Sequence, residues 1–225
     1  MLNKSVLVVA PHADDESLGC GGTLLKHKQN GDEIHWLIVT QMSSVCGYSE
    51  EVILTRQDEV LAVTQQYGFK SVHQLSFSPA LLDTESKSNL VDVFSAVMTQ
   101  VKPQIVYTPF RNDVHSDHEV VFDVVASTTK SFRYPFIEKI LAYETLSETD
   151  FNIKPGNTMF SPNIFVDISA YVEEKISILK LYKSEIDEFP FPRSIKAIKS
   201  LGHIRGVQAG CDSAEAFMLL KEIIK

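Results

Sequence analysis

Short apolar runs alternate with longer amphipathic stretches along most of the chain. Ser5–Ala10 (SVLVVA) is continuous and rich in β-branched residues, as a parallel strand covered on both faces requires. A helical pattern follows over Glu16–Gln29, with Gly31 placed to end it. The alternation repeats: a strand over Glu33–Thr40, a helix over Glu50–Tyr67, a strand over Ser71–Phe77 and a helix over Glu85–Val101 that stops before Pro103. Gln104–Pro109 is a fourth strand, and after a loop over Phe110–Asp117 a helix runs from His118 to Lys130. Ile140–Glu144 and Ile164–Ile168 read as strands, separated by a loop over Ser147–Pro162. Tyr171–Ile186 and Ser213–Ile224 read as helices, with Pro190 and Pro192 breaking the chain between them. Strand–helix alternation over the first two thirds predicts βαβ units. The fold class is α/β: a Rossmann-like, mostly parallel sheet flanked by helices, in one domain over residues 1–225.

Composition narrows the partners more than the fold. With 225 residues and 44% hydrophobic content, the chain can bury a full core without covalent staples. Its net charge of −8 argues against nucleic acid, which demands clustered Lys and Arg. Three cysteines, Cys20, Cys46 and Cys211, without paired spacing make no disulfide framework. The first apolar run is too short for a signal-peptide core or a membrane span, so the cytoplasm is the expected compartment.

Chemistry concentrates at two places. In doubly wound sheets ligands bind at the carboxyl ends of the strands, where strand order reverses. With the usual order 3-2-1-4-5, strands one and four flank that point. Pro11-His12-Ala13-Asp14-Asp15-Glu16 follows strand one, and Asp113-Val114-His115-Ser116-Asp117-His118 follows strand four. Any one of these aspartates could be a helix cap. Two facing clusters that repeat His with Asp or His three residues on call for a metal or a catalytic site. Imidazoles with a carboxylate suit zinc, whose catalytic sites keep three protein ligands and one open position. Magnesium would require more oxygen ligands, and iron oxygenases also use two His and one carboxylate. There is no GxGxxG, no GK[ST] loop, no acidic residue ending strand two and no GxSxG elbow, which counts against dinucleotide enzymes and serine hydrolases.

At these residues the chain resembles the PIG-L/LmbE-like family of zinc-dependent N-acetylglucosamine deacetylases. The family's His-Pro-Asp-Asp-Glu motif stands here as His12-Ala13-Asp14-Asp15-Glu16, and its His-Pro-Asp-His as His115-Ser116-Asp117-His118. Weaker matches include Arg56 with Glu59, Tyr143-Glu144-Thr145 and Arg205-Gly206. Ala13 and Ser116 replace the usual prolines, which stiffen the loops and bear no chemistry. The resemblance implies His12, Asp15 and His118 as ligands of Zn2+, Asp14 as general base, His115 as acid or electrostatic stabiliser, and Asp117 as the group orienting His115. It implies hydrolysis of the acetamide of an N-acetylated sugar conjugate to acetate and free amine. Because several relatives assemble, a homo-oligomer is compatible with it.

Other residues leave alternatives open. Arg56 could reach substrate or pair on its own helix with Glu59 or Glu50. Gly19, Gly21 and Gly22 serve either close backbone approach to a ligand or tight helix–sheet packing. Two further functions stay in view: a zinc amidohydrolase for another N-acyl substrate, and a non-catalytic sugar- or nucleotide-binding module.

Overall fold

A computed structural model describes residues 3–153 and 159–225, so part of the loop expected over Ser147–Pro162 lies outside the described residues. The strands are β1 (Ser5–Ala10), β2 (Glu33–Thr40), β3 (Ser71–Phe77), β4 (Ile105–Pro109), β5 (Lys139–Tyr143), β6 (Ile164–Asp167) and β7 (Ala214–Glu222). The helices are α1 (Asp15–Gln29), α2 (Glu50–Tyr67), α3 (Lys87–Val101), α4 (Ser116–Ser127), α5 (Val172–Leu179) and α6 (Ile195–Ala209). One sheet runs through the molecule in the order β3-β2-β1-β4-β5-β7-β6. The first five strands in that order are parallel, and β7 pairs antiparallel with both β5 and β6. Strands β1 and β4 are therefore neighbours, as the expected order requires.

The apolar runs are continuous because both sheet faces are covered. Val6, Val8 and Ala10 pack with Trp36, Tyr143 and the α1 residues Cys20 and Leu24 on one face. Leu7 and Val9 pack with Phe94 of α3 and Val121 and Val124 of α4 on the other. Gly19 and Gly22 let α1 lie directly on the sheet. A Cβ at Gly19 would stand 2.3 Å from the Tyr143 ring, and one at Gly22 would stand 2.7 Å from Ile168. Gly19 and Gly22 are thus explained by helix–sheet packing, whereas Gly21 faces Tyr67 of α2 and Lys175 of α5.

The carboxyl-terminal third differs from its expectation. Ser213–Ile224, expected to be a helix, contains strand β7. Its helix-forming residues yield to tertiary pairing: β7 fills the space between β5 and β6, buries Phe217, and uses Glu215 to accept the Gly22 and Thr23 N–H groups at 2.9 and 2.8 Å. The helix expected over Tyr171–Ile186 stops at Leu179. Helix α6 was not expected at all, although it carries both end signals: Ser194 accepts from the Ala197 N–H, and Gly210 closes it at φ 73°.

Candidate metal centre

The loops leaving β1 and β4 meet at the switch point. His12 ends the β1 loop, and Asp15 opens α1. His115 caps α4, accepting the Asp117 N–H, and His118 lies in that helix's first turn. One donor atom each of His12, Asp15 and His118 fall within 4.8 Å of one another. His12 Nδ1 is 3.3 Å and His118 Nε2 is 3.4 Å from Asp15 Oδ2. The opposite ring nitrogens are held by carboxylates: His12 Nε2 by Asp117 Oδ2 at 2.9 Å, and His118 Nδ1 by Asp113 Oδ2 at 2.7 Å. His118 and Asp15 are buried, and His118 Nε2 has no hydrogen-bond partner among the described residues. An orphaned imidazole nitrogen aimed at a carboxylate and a second imidazole fits a cation in the gap, with each ring oriented from behind.

Ion pairing outweighs burial at all three residues. Burial works against a charged His12, yet Asp117 and Asp15 hold its pKa up at about 9. Burial likewise opposes charge on His118, and Asp15 and Asp113 raise it to about 10. Asp15 is pushed well below the usual carboxylate range by His118 and His12, against its burial.

Asp14 lies beside this cluster, outside the three converging donors. Its backbone sits at φ 148°, and its side chain caps no helix. The strained turn is held from several directions. Glu16 Oε2 accepts the Asp14 N–H at 3.0 Å, Arg56 Nη1 donates to Ala13 O at 2.7 Å, and Arg193 Nη1 donates to Asp14 Oδ2 at 2.6 Å. Burial raises the Asp14 pKa to about 7, with Arg193 opposing and Asp15 assisting. His115 is pushed down to about 4 by burial and then by His12, so it is neutral at pH 7. Its Nδ1 accepts the Asp117 N–H at 3.1 Å, which leaves the ring proton on Nε2. His12, Asp14 and His115 all border a cleft of about 250 Å³.

Residues 7–129 match the PIG-L family, GlcNAc-PI de-N-acetylase. The chain belongs to the PIG-L family. Both loops of the metal centre fall inside the matched span. An uncharacterized deacetylase of Escherichia coli K12, YaiS, is 28% identical over 190 residues, 80% of this chain and 91% of that protein. The diacetylchitobiose deacetylase of Thermococcus kodakarensis is 26% identical over 196 residues, 82% of this chain and 71% of that one. Among solved structures, a conserved protein of Thermus thermophilus superposes with a TM-score of 0.77 at 24% identity, covering 99% of this chain and 97% of the other.

The PIG-L motifs lead to the centre but not to everything around it. Asp117, expected to orient His115, gives its carboxylate to His12 and to the Ala80 and Leu82 N–H groups; its Oδ2 stands 4.0 Å from His115 Nδ1. Arg56 is spent on Ala13, Ser184, Glu185 and Glu59 rather than held free over the cleft. Sequence reading overlooked Asp113, although it stands in the quoted loop five residues before His118. It also overlooked Glu148, Glu185 and Arg193, which lie beyond the matched span in segments without a recognisable motif.

Proposed function

We propose that the chain is a zinc-dependent N-deacetylase acting on an N-acetylglucosamine-type conjugate, with His12, Asp15 and His118 as the metal ligands. One observation carries the reading. Two imidazoles and a carboxylate converge beside an open cleft, each imidazole backed by its own carboxylate, while Asp14 borders the same cleft with one carboxylate oxygen held by Arg193. Two nitrogen donors and one carboxylate suit zinc with an open position.

When bound, the ion supplies Lewis-acid polarisation of the acetamide carbonyl and acidifies a water in the cleft. Asp14 takes that water's proton as it attacks the carbonyl carbon. Its buried position and a pKa near 7 in the metal-free chain match a base working at neutral pH, and a neighbouring cation would lower that value. His115, neutral and protonated on Nε2, donates to the oxygen that becomes anionic. Its low pKa makes it a hydrogen-bond donor rather than a source of protons. Asp14 then returns its proton to the sugar nitrogen as the C–N bond breaks, leaving acetate and an amine. Arg193 and Glu16 hold Asp14 in place through these steps.

The test is acetate release from a panel of N-acetylated sugars by metal-replete protein, with metal content measured alongside. Zinc at about one per chain with acetate from amino-sugar substrates is the expected result. Activity confined to non-sugar amides would overturn the sugar assignment, and a chain that binds no metal would overturn the enzyme.

A further inference from the structure

The cleft beyond the metal centre is lined by two guanidiniums among the described residues, Arg56 and Arg193, and each is ion-paired within the protein. Arg56 donates through Nη1 to Ala13 O at 2.7 Å and through Nη2 to Ser184 Oγ at 3.0 Å and to Glu185, while its Nε lies 3.2 Å from Glu59. Arg193 donates through Nε to Ser147 Oγ at 2.9 Å, through Nη1 to Asp14 and Glu185 at 2.6 and 3.0 Å, and through Nη2 to Glu148 at 3.3 Å. Recognising a carboxylate or phosphate calls for a guanidinium face with two free parallel N–H groups. Every nitrogen of both side chains is already engaged. The carboxylates of Asp14, Glu148 and Glu185 stand against these two guanidiniums on the cleft wall and compensate their charge. A dication held in the metal centre would itself be offset by Asp15 and by Asp113 and Asp117, which back the two imidazoles. The remaining polar lining includes Gln41, Tyr48 and Gln74, neutral groups that exchange hydrogen bonds with hydroxyls.

From the pairing of Arg56 and Arg193 with Glu148 and Glu185, we infer that this cleft selects conjugates whose group beyond the N-acetyl sugar is uncharged and rejects those carrying a carboxylate or phosphate there. The inference rests on the deacetylase reading and narrows its substrate class. Among the described residues, an anionic group would meet only guanidiniums already paired to carboxylates, whereas a neutral glycan meets amides and hydroxyls.

The experiment compares acetate release by zinc-loaded enzyme from a neutral N-acetylglucosamine disaccharide and from N-acetylglucosamine linked to a carboxylate-bearing aglycone. We expect kcat/KM at least about tenfold lower for the anionic conjugate, carried mainly in KM. The gap should narrow as added salt screens the repulsion. Glu185→Gln weakens the hold on both guanidiniums and should narrow the gap at fixed salt. Glu148→Gln acts on Arg193 alone and serves if the first variant does not fold. An anionic conjugate turned over as fast as the neutral one, or slowed by salt, overturns the inference and leaves the deacetylase standing. No acetate from either substrate by zinc-loaded enzyme overturns the deacetylase and the inference with it.

Discussion

Asp14 and Asp15 are adjacent and chemically identical in sequence, and the turn between them sends their carboxylates in different directions. Asp15 Oδ2 faces both metal-site imidazoles, whereas Asp14 Oδ2 meets Arg193. Two variants follow from this division. Asp14→Asn should keep its zinc and lose about 10²- to 10⁴-fold in kcat, the range of a general base. Asp15→Ala should lose the metal, read by elemental analysis after dialysis. Equal metal loss in both variants would sink the distinction. Asp113→Asn tests the support of His118. It should weaken zinc about 10- to 100-fold in a competition titration against a chelator, because the imidazole loses the carboxylate that orients it. The Asp113 role was legible in principle from its place in the second loop. The pairing of the Asp117 carboxylate with His12 was not, since it depends on which ring the folded loops bring within hydrogen-bond reach, here 2.9 Å, while the Asp117 N–H stays on His115.

At the scale of elements, α1 is the most constrained part of the molecule. It carries Asp15 at its start, and its middle rests on the sheet through glycines. Gly22→Ala places a methyl 2.7 Å from the Ile168 side chain, in a region with no slack. The expected cost is about 1–3 kcal/mol, the usual range for overpacking, visible as a lowered midpoint in thermal melts. A neutral or stabilised variant would show that the helix can shift away from Ile168. The glycine run was visible in the sequence, but its purpose was not, because it depends on Tyr143 and Ile168 from distant parts of the chain. The two misread carboxyl-terminal elements have separate causes. The segment that becomes β7 has helix-forming composition and becomes a strand because a sheet edge beside β5 awaits it. Helix α6 hides its face behind Gly202 and Gly206, which pack on Ser213 and on the Cys211 and Asp212 carbonyls.

Across the whole molecule, the buried centre ties folding to protons and metal. His12, Asp14, Glu16 and His118 all have pKa values above their ordinary ones, at about 9, 7, 8 and 10. Each binds its proton more tightly folded than unfolded. The stability linked to those protons is present at low pH and is lost as pH rises through the folded values. The metal-free chain should therefore melt at progressively lower temperature between about pH 7 and about pH 10, through Glu16, His12 and His118. Zinc should oppose this trend, because its ligands must shed protons to bind and its affinity rises with pH. Thermal melts with chelator and with zinc across that range check both signs. A chelated protein that gains stability with pH would refute the linkage.

The hydrophobic pattern by itself determined the alternating strands and helices up to β5, because each run's period and length are local properties. Two short motifs at the ends of β1 and β4 pointed to the candidate metal residues, because a doubly wound sheet forces those ends together. Only the tertiary structure decided the rest. It chose which carboxylate supports which imidazole, committed Arg56 to the loop of Asp14, and brought Glu148, Glu185 and Arg193 to the same cleft. The contacts of Asp117 with His12 and of Arg193 with Asp14 span 105 and 179 positions of the chain. No local periodicity or spacing encodes a distance of that kind.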